Sequence, residues 1–152
     1  MIVKEIMTQP VVTAREDSTL EEIARKMLDC RIACLPIVDS KSKLVGIVTE
    51  STFTARERWM PFTRLSIPEL FGQLLGTEQV DSIYEAARKT TAREIMNTAV
   101  VTVTENQLVR DVLEKMLEHS VSHIPVVRDG VPVGIVSRHD LLKMMLERQP
   151  GG

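Results

Sequence analysis

The sequence predicts an α/β fold: two tandem β-α-β-β-α units packed about a pseudo-twofold axis, with a helical insert between them. Three observations lead there. The chain repeats itself: residues 5–38 align with 94–127 at an offset of 89, and the offset falls to 88 where each copy ends. Each copy passes from a β-branched run to helical spacing and back to short apolar runs. A stretch of different composition, rich in aromatics, divides the copies.

Each unit opens on a β-branched run, Val11, Val12 and Thr13 or Val100, Val101 and Thr102, which reads as a first strand. Helical spacing follows. Leu20, Ile23, Ala24, Met27 and Leu28 share one face, matched by Val109, Val112, Leu113, Met116 and Leu117 in the second copy. Spacings of three and four make a stripe that calls for burial. Two short strands come next, over 35–38 with 44–48 and over 124–127 with 133–136. In the second copy Asp129-Gly130 suits a tight hairpin turn. A second helix is expected to start near Glu50 and near Arg138. A unit of about fifty residues is too small to bury its own apolar face well, so the copies are expected to share a core.

The boundaries are therefore a first repeat over 1–58, an insert over 59–91, a second repeat over 92–147 and a flexible tail over 148–152. Phe53, Trp59, Phe62, Phe71 and Tyr84, all the aromatics of the chain, fall in or beside the insert. Aromatics carry large burial energies. Ser66-Ile67-Pro68-Glu69 has the pattern of a capping box, and Val80, Ile83, Tyr84 and Ala87 mark an amphipathic helix. The insert is expected to dock on the repeats or on a second subunit.

Hydrophobic content of 43% and charged content of 26% are those of a globular chain. A net charge of −2 argues against a nucleic-acid surface. No apolar run is long enough to cross a membrane, and the first ten residues lack the apolar core of a secretory signal. The two cysteines make no disulfide framework, which points to a reduced, cytoplasmic setting.

The chemistry gathers where each repeat ends. Gly134-Ile135-Val136-Ser137-Arg138-His139-Asp140 matches Gly46-Ile47-Val48-Thr49-Glu50-Ser51-Thr52, and only the later copy carries the acid. Ser137 at an N-cap with Asp140 three residues on is a capping box needing no ligand. The same geometry also suits a nucleotide. Helix N-terminal N–H groups and a hydroxyl accept a phosphate, and a carboxylate one turn in accepts both hydroxyls of a ribose. Thr52 cannot take two charge-assisted hydrogen bonds.

The duplicated unit, the Ile-Met-Thr and Val-Val-Thr opening, the Pro-containing strand at Pro36 and Pro125, and the Gly-x-x-[Ser/Thr]-x-x-Asp ending resemble the cystathionine-beta-synthase (CBS) domain pair, or Bateman module. That resemblance implies a regulatory ligand-binding module rather than an enzyme. Its effectors are adenosyl molecules such as AMP, ADP, ATP or S-adenosylmethionine, and no other cofactor is required. It implies a better cleft of Ser137, Arg138 and Asp140 with Val11, Val12, Ala33, Cys34 and Pro36. There Asp140 would hold the ribose and Ser137 the phosphate or its equivalent, with the apolar residues around adenine. A less equipped cleft would use Thr49 and Thr52 with Val100, Val101, Ser122, His123 and Pro125. The resemblance further implies a homodimer and a separate effector protein as partner, while charge and hydropathy point to neither nucleic acid nor membrane.

Two rival readings stay open. One is a structural or dimerisation adaptor with empty clefts. The other is a metal or redox sensor using Cys30 and Cys34 with the aligned His119 and His123, although the spacing of these residues suits zinc poorly. Arg56, Arg58 and Arg64 around Trp59 read as an exposed face. No nucleophile–base pair is readable, since Ser137 and His139 lie two residues apart at a helix start and do not face each other.

Overall fold

The structure, a computed structural model, describes residues 1–53, 85–86 and 88–147. The expected helices of the insert, the Trp59 cluster and the tail lie outside the described residues, apart from helical backbone at 85, 86, 88 and 89.

Both repeats build a helix followed by two paired strands, with differences on either side. A 3-10 turn at Val3–Glu5 opens the first. Strand β1 is Ala14–Arg15, helix α1 Leu20–Cys30, strand β2 Cys34–Val38 and strand β3 Leu44–Thr49. The second repeat opens on the short helix α2, Ala92–Ile95, and continues with helix α3, Val109–His119. Strand β4, His123–Arg128, strand β5, Val131–Ser137, and helix α4, Arg138–Glu147, complete it. The strands form a sheet of order β1-β2-β3 and a second sheet of β4 and β5.

Local chemistry explains the boundaries. Thr19 caps α1: its hydroxyl accepts the Glu22 N–H at 3.3 Å, and Glu22 accepts the Thr19 N–H at 3.2 Å. Both α1 and α3 end on a left-handed residue at matching positions, Arg31 and Ser120, each with φ 53°. Asp129 and Gly130, with φ 51° and 79°, form the two-residue turn between Arg128 and Val131. The longer first-repeat turn is organised by Asp39, whose carboxylate accepts the N–H groups of Lys41 and Lys43 at 2.8 and 3.0 Å.

Three expectations are corrected. The runs over 11–13 and 100–102 are not strands. Pairing skips them: bridges stand before the runs, at Thr8 with Ile135 and Asn97 with Ile47, and after them at β1 and, in the second repeat, at a bridge between Val103 and Val126. Val103 donates to the Pro125 carbonyl at 3.1 Å and accepts from Val127 N–H at 2.9 Å. A β-branched run makes extended backbone favourable but does not supply a neighbouring strand. Leu28 and Leu117, placed on the core stripe by periodicity, are 78% and 82% exposed. The buried stripe is narrower: Leu20, Ile23 and Met27, and Val109, Val112 and Met116. The described continuation at Glu50–Phe53 is a 3-10 turn.

Contacts divide the chain into two compact units that do not coincide with the repeats. One holds Met1–Thr13, Val38–Val45 and the chain from Ala99; the other holds Ala14–Ile37 and Gly46–Thr98. Each unit thus contains the leading segment of the opposite repeat. In the first, Val3 N–H donates to Gln107 carbonyl, Lys4 to Glu105 and Val109 to Met1, at 2.9–3.1 Å. In the second, the equivalent bonds run from Ala92 to Ser18, Arg93 to Glu16 and Leu20 to Thr90, at 2.8–3.0 Å. Val3 and Met7 lie in the first unit's core with Val112, Met116, Ile124 and Leu141.

Candidate functional site

The local rule for a helix start places Ser137 and Asp140. Strand β5 ends at Ser137, α4 begins at Arg138, and three residues on the Asp140 carboxylate folds back over the turn. Its Oδ2 accepts the Ser137 N–H at 2.8 Å and the Ser137 hydroxyl at 3.1 Å. The Asp140 N–H donates to Ser137 Oγ at 3.3 Å. The capping box is therefore formed, with a third donor that local reasoning missed: Thr8 Oγ1 donates to Asp140 Oδ1 at 3.0 Å across 132 residues of sequence. Thr8 arrives there because its backbone exchanges two hydrogen bonds with Ile135, at 2.8 and 3.1 Å. The Ile-Met-Thr phrase was the available signal, but nothing in sequence names its distant partner.

Beside this carboxylate lies a cavity of about 320 Å³, lined by Met7, Thr8, Asp140 and Met144 together with Glu5, Lys143 and Glu147. Glu5, Asp140 and Glu147 there face Lys143 and the ammonium of Met1, so carboxylates outnumber cations at the mouth. Val11 and Val12 belong to the same unit and are half-buried, but they do not line that cavity. Arg138 is exposed, and its N–H donates to the Ser122 carbonyl at 3.0 Å. Ala33, Cys34 and Pro36 fall in the other unit, with Ala33 half-buried and Cys34 and Pro36 buried. That unit has its own cavity of about 520 Å³, walled by Ala24, Met27, Leu28, Ile32 and Ala33 with Arg31 and Glu50.

In the first repeat a hydroxyl takes the place of the carboxylate in the same turn. Thr52, 8% exposed, accepts the Thr49 N–H at 3.0 Å, and Thr49 Oγ1 lies 2.7 Å from Ser51 Oγ. Of the residues expected to complete that cleft, Val100, Val101 and Ser122 are half-buried in the opposite unit and Pro125 is buried. His123 Nδ1 and Ser122 Oγ are 2.9 Å apart.

The four residues of the metal reading are divided, with Cys30 and Cys34 in one unit and His119 and His123 in the other. No cluster of three potential ligands occurs among the described residues. Burial pushes the Cys34 thiol up from 9.0 to about 12, so it stays protonated and unreactive near neutrality.

The pattern of the CBS domain matches residues 3–56 and 92–147, most of the chain. The chain belongs to the CBS-domain family. This CBS pair is similar in structure to the CBS domain of a CBS-domain-containing membrane protein from Sphaerobacter thermophilus, with a TM-score of 0.78 and 42% identity over 94% of this chain and 86% of that one. It also resembles a CBS domain pair solved in complex with 5′-methylthioadenosine and S-adenosyl-L-methionine, with a TM-score of 0.71 and 28% identity over 98% of both chains. In sequence it is 31% identical to the L-aspartate semialdehyde sulfurtransferase of Methanocaldococcus jannaschii over 94% of this chain, and it spans only 23% of that enzyme. Among the described residues no helix is long and apolar enough to cross a membrane.

Proposed function

We propose that this CBS pair is a regulatory module that binds an adenosyl ligand at Ser137 and Asp140 and reports occupancy to a separate protein through a change of shape or assembly. One observation carries the reading. Of two otherwise matching helix starts, one presents a carboxylate beside a cavity and the other closes on a hydroxyl. A cap alone accounts for both, but only the carboxylate accepts a ribose diol. The related pair bound to 5′-methylthioadenosine and S-adenosyl-L-methionine supports the ligand class. Val11 and Val12, as the wall for adenine, rest on the family resemblance and not on the Asp140 cavity. Ala33, Cys34 and Pro36 enter from the family resemblance alone, as do the residues of the Thr49–Thr52 site.

The excess of carboxylates around the Asp140 cavity favours a ligand of low negative charge, S-adenosylmethionine or AMP, over ATP. The role is regulatory, not catalytic. Exposed apolar residues on the helices of the first unit (Leu117, Leu142, Met145 and Leu146) support a homodimer. Two free thiols, Cys30 and Cys34, fit a cytoplasmic setting.

Thermal unfolding with a panel of adenosyl ligands tests the reading. A ligand at a hundred times its Kd stabilises by about 2.7 kcal/mol, a rise of roughly 5–11 °C for a chain of this size. Asp140→Ala is expected to abolish the rise, and Thr52→Ala to leave most of it. A flat panel would favour the adaptor reading instead.

A further inference from the structure

We propose that Thr8 is a positioning residue for the Asp140 carboxylate, and through it for the vicinal diol of a bound ribose. The inference rests on the effector reading above and adds a residue from the opposite repeat to the site.

The capping box fixes only one of the two carboxylate oxygens, Oδ2, through the Ser137 N–H and hydroxyl. The terminal torsion of an aspartate is broad and roughly two-fold, so one anchored oxygen leaves the plane of the group free to rock. The Thr8 hydroxyl takes the other oxygen at 3.0 Å and fixes that plane. Thr8 can do so because its backbone pairs with Ile135, two residues before Ser137, so the hydroxyl is presented from an anchored strand partner.

Acceptor capacity decides what a diol then finds. A carboxylate offers about four acceptor positions, of which three are taken here, two on Oδ2 and one on Oδ1. One position is open on Oδ1. The second hydroxyl of a diol needs a place on Oδ2, and the Ser137 hydroxyl can yield it by rotating, since it is a single-bond rotor. The Ser137 N–H cannot yield without unwinding the helix start. Thr8 keeps its bond in this scheme, and the carboxylate meets the diol already oriented.

The two repeats serve as an internal comparison. The position of Thr8 in the second repeat is Asn97, and the position of Asp140 in the first is Thr52. Asn97 exchanges backbone bonds with Ile47 as Thr8 does with Ile135. The backbone arrangement is thus common to both repeats, while the hydroxyl donor and the acid occur together in one and are both replaced in the other.

Calorimetric titration of the full chain with 5′-AMP, 5′-methylthioadenosine and S-adenosylmethionine, the first two beside their 2′-deoxy counterparts, tests this. Thr8→Val keeps the shape and removes the donor. It is expected to weaken the ribose ligands about tenfold, the scale of one charge-assisted hydrogen bond, and the deoxy ligands by less than about threefold. Thr8→Ser is expected to restore wild-type affinity, and Thr8→Ala repeats the test should valine pack badly. Equal losses on ribose and deoxy ligands would overturn the proposal in favour of a direct contact or a structural role. Binding that depends on Asp140 but ignores Thr8→Val overturns the Thr8 role and leaves the effector reading intact. A wild-type chain that binds none of the probes overturns both.

Discussion

Gly46 and Gly134 stand at matching positions, each beneath the methionine of the leading segment packed against it. A Cβ at Gly134 would come within 2.7 Å of Met7 Sδ and 3.2 Å of the Thr8 carbonyl oxygen. At Gly46 it would meet Met96 Cγ at 2.7 Å. The Ile-Met phrase and the Gly-Ile-Val phrase, far apart in sequence, recur together because they are packing partners. Gly134→Ala must displace Met7 from the core or push back the Thr8 carbonyl that pairs with Ile135. We expect a loss of about 1–3 kcal/mol, read from the denaturant midpoint. Met7→Val in the same chain should recover part of it, because residues in contact are not additive. Independent, additive effects of the two substitutions would refute the packing account. The same close approach places Thr8 over Asp140, so a strained Gly134 variant should also weaken an adenosyl ligand.

At the scale of elements the two repeats differ where their capping and ion pairs differ. Thr19 gives α1 a complete capping box, whereas α3 has Leu108 at that position and retains only the reciprocal half, Asp111 Oδ2 accepting the Leu108 N–H at 3.1 Å. Leu108 is 46% exposed, so little burial is lost by replacing it. Leu108→Thr should stabilise the chain by about 0.5–1 kcal/mol, and an unchanged midpoint in urea would count against it. The acid before α3 behaves differently from its counterpart before α1. Glu105 accepts two bonds from Arg128, at 2.6 and 2.9 Å, while Glu16 is paired with Arg93, because Asp39 occupies the Arg128 position of the first repeat. Hydrogen bonds from Arg128, and then its charge and that of Lys4, hold the Glu105 carboxyl below its usual 4.5 despite a desolvation that opposes them. A carboxyl depressed in the folded state contributes stability above its unfolded value, and that contribution is lost as pH falls through the folded value. The stability gap between wild type and Glu105→Gln should therefore be constant near neutrality and close as pH drops below about 4.5. A gap independent of pH across that range would show that the ion pair is not its source. These asymmetries could be read in advance only in part. The capping residues are local and visible as Thr19 with Glu22, but the choice of Arg128 over Lys4 for Glu105 depends on which turn the chain makes after β4.

At the scale of the molecule, the repeat itself was the most legible feature, since it survives as matching elements down to the left-handed caps at Arg31 and Ser120. The Ser137–Asp140 turn was legible for the same reason: a cap is written within four residues. What sequence could not show is the exchange of leading segments, because alignment assigns 1–13 to the first repeat while backbone pairing assigns it to the core of the second. Thr8 is invisible to sequence on that account, and the β-branched runs at 11–13 and 100–102 look like strands only because sequence does not show what lies beside them. The exchange has a consequence for how the chain can be divided. Val3 and Met7, 0% and 8% exposed, sit in one cluster with Val103, Ile124 and Val136 of the second repeat. Burying each contributes about 1.5–3 kcal/mol, so together they supply roughly 3–6 kcal/mol, comparable with the whole stability of a small domain. A fragment of 92–152, complete by sequence, should therefore be largely unfolded alone. A permuted chain that places 1–13 on a flexible linker after residue 152 of that fragment should regain cooperative unfolding, provided the linker spans the distance. Circular dichroism and hydrogen exchange at β4 and β5 distinguish the two. Full exchange protection in the bare fragment would mean that the second repeat closes its own core, and the assignment of the leading segment as part of that core would be wrong.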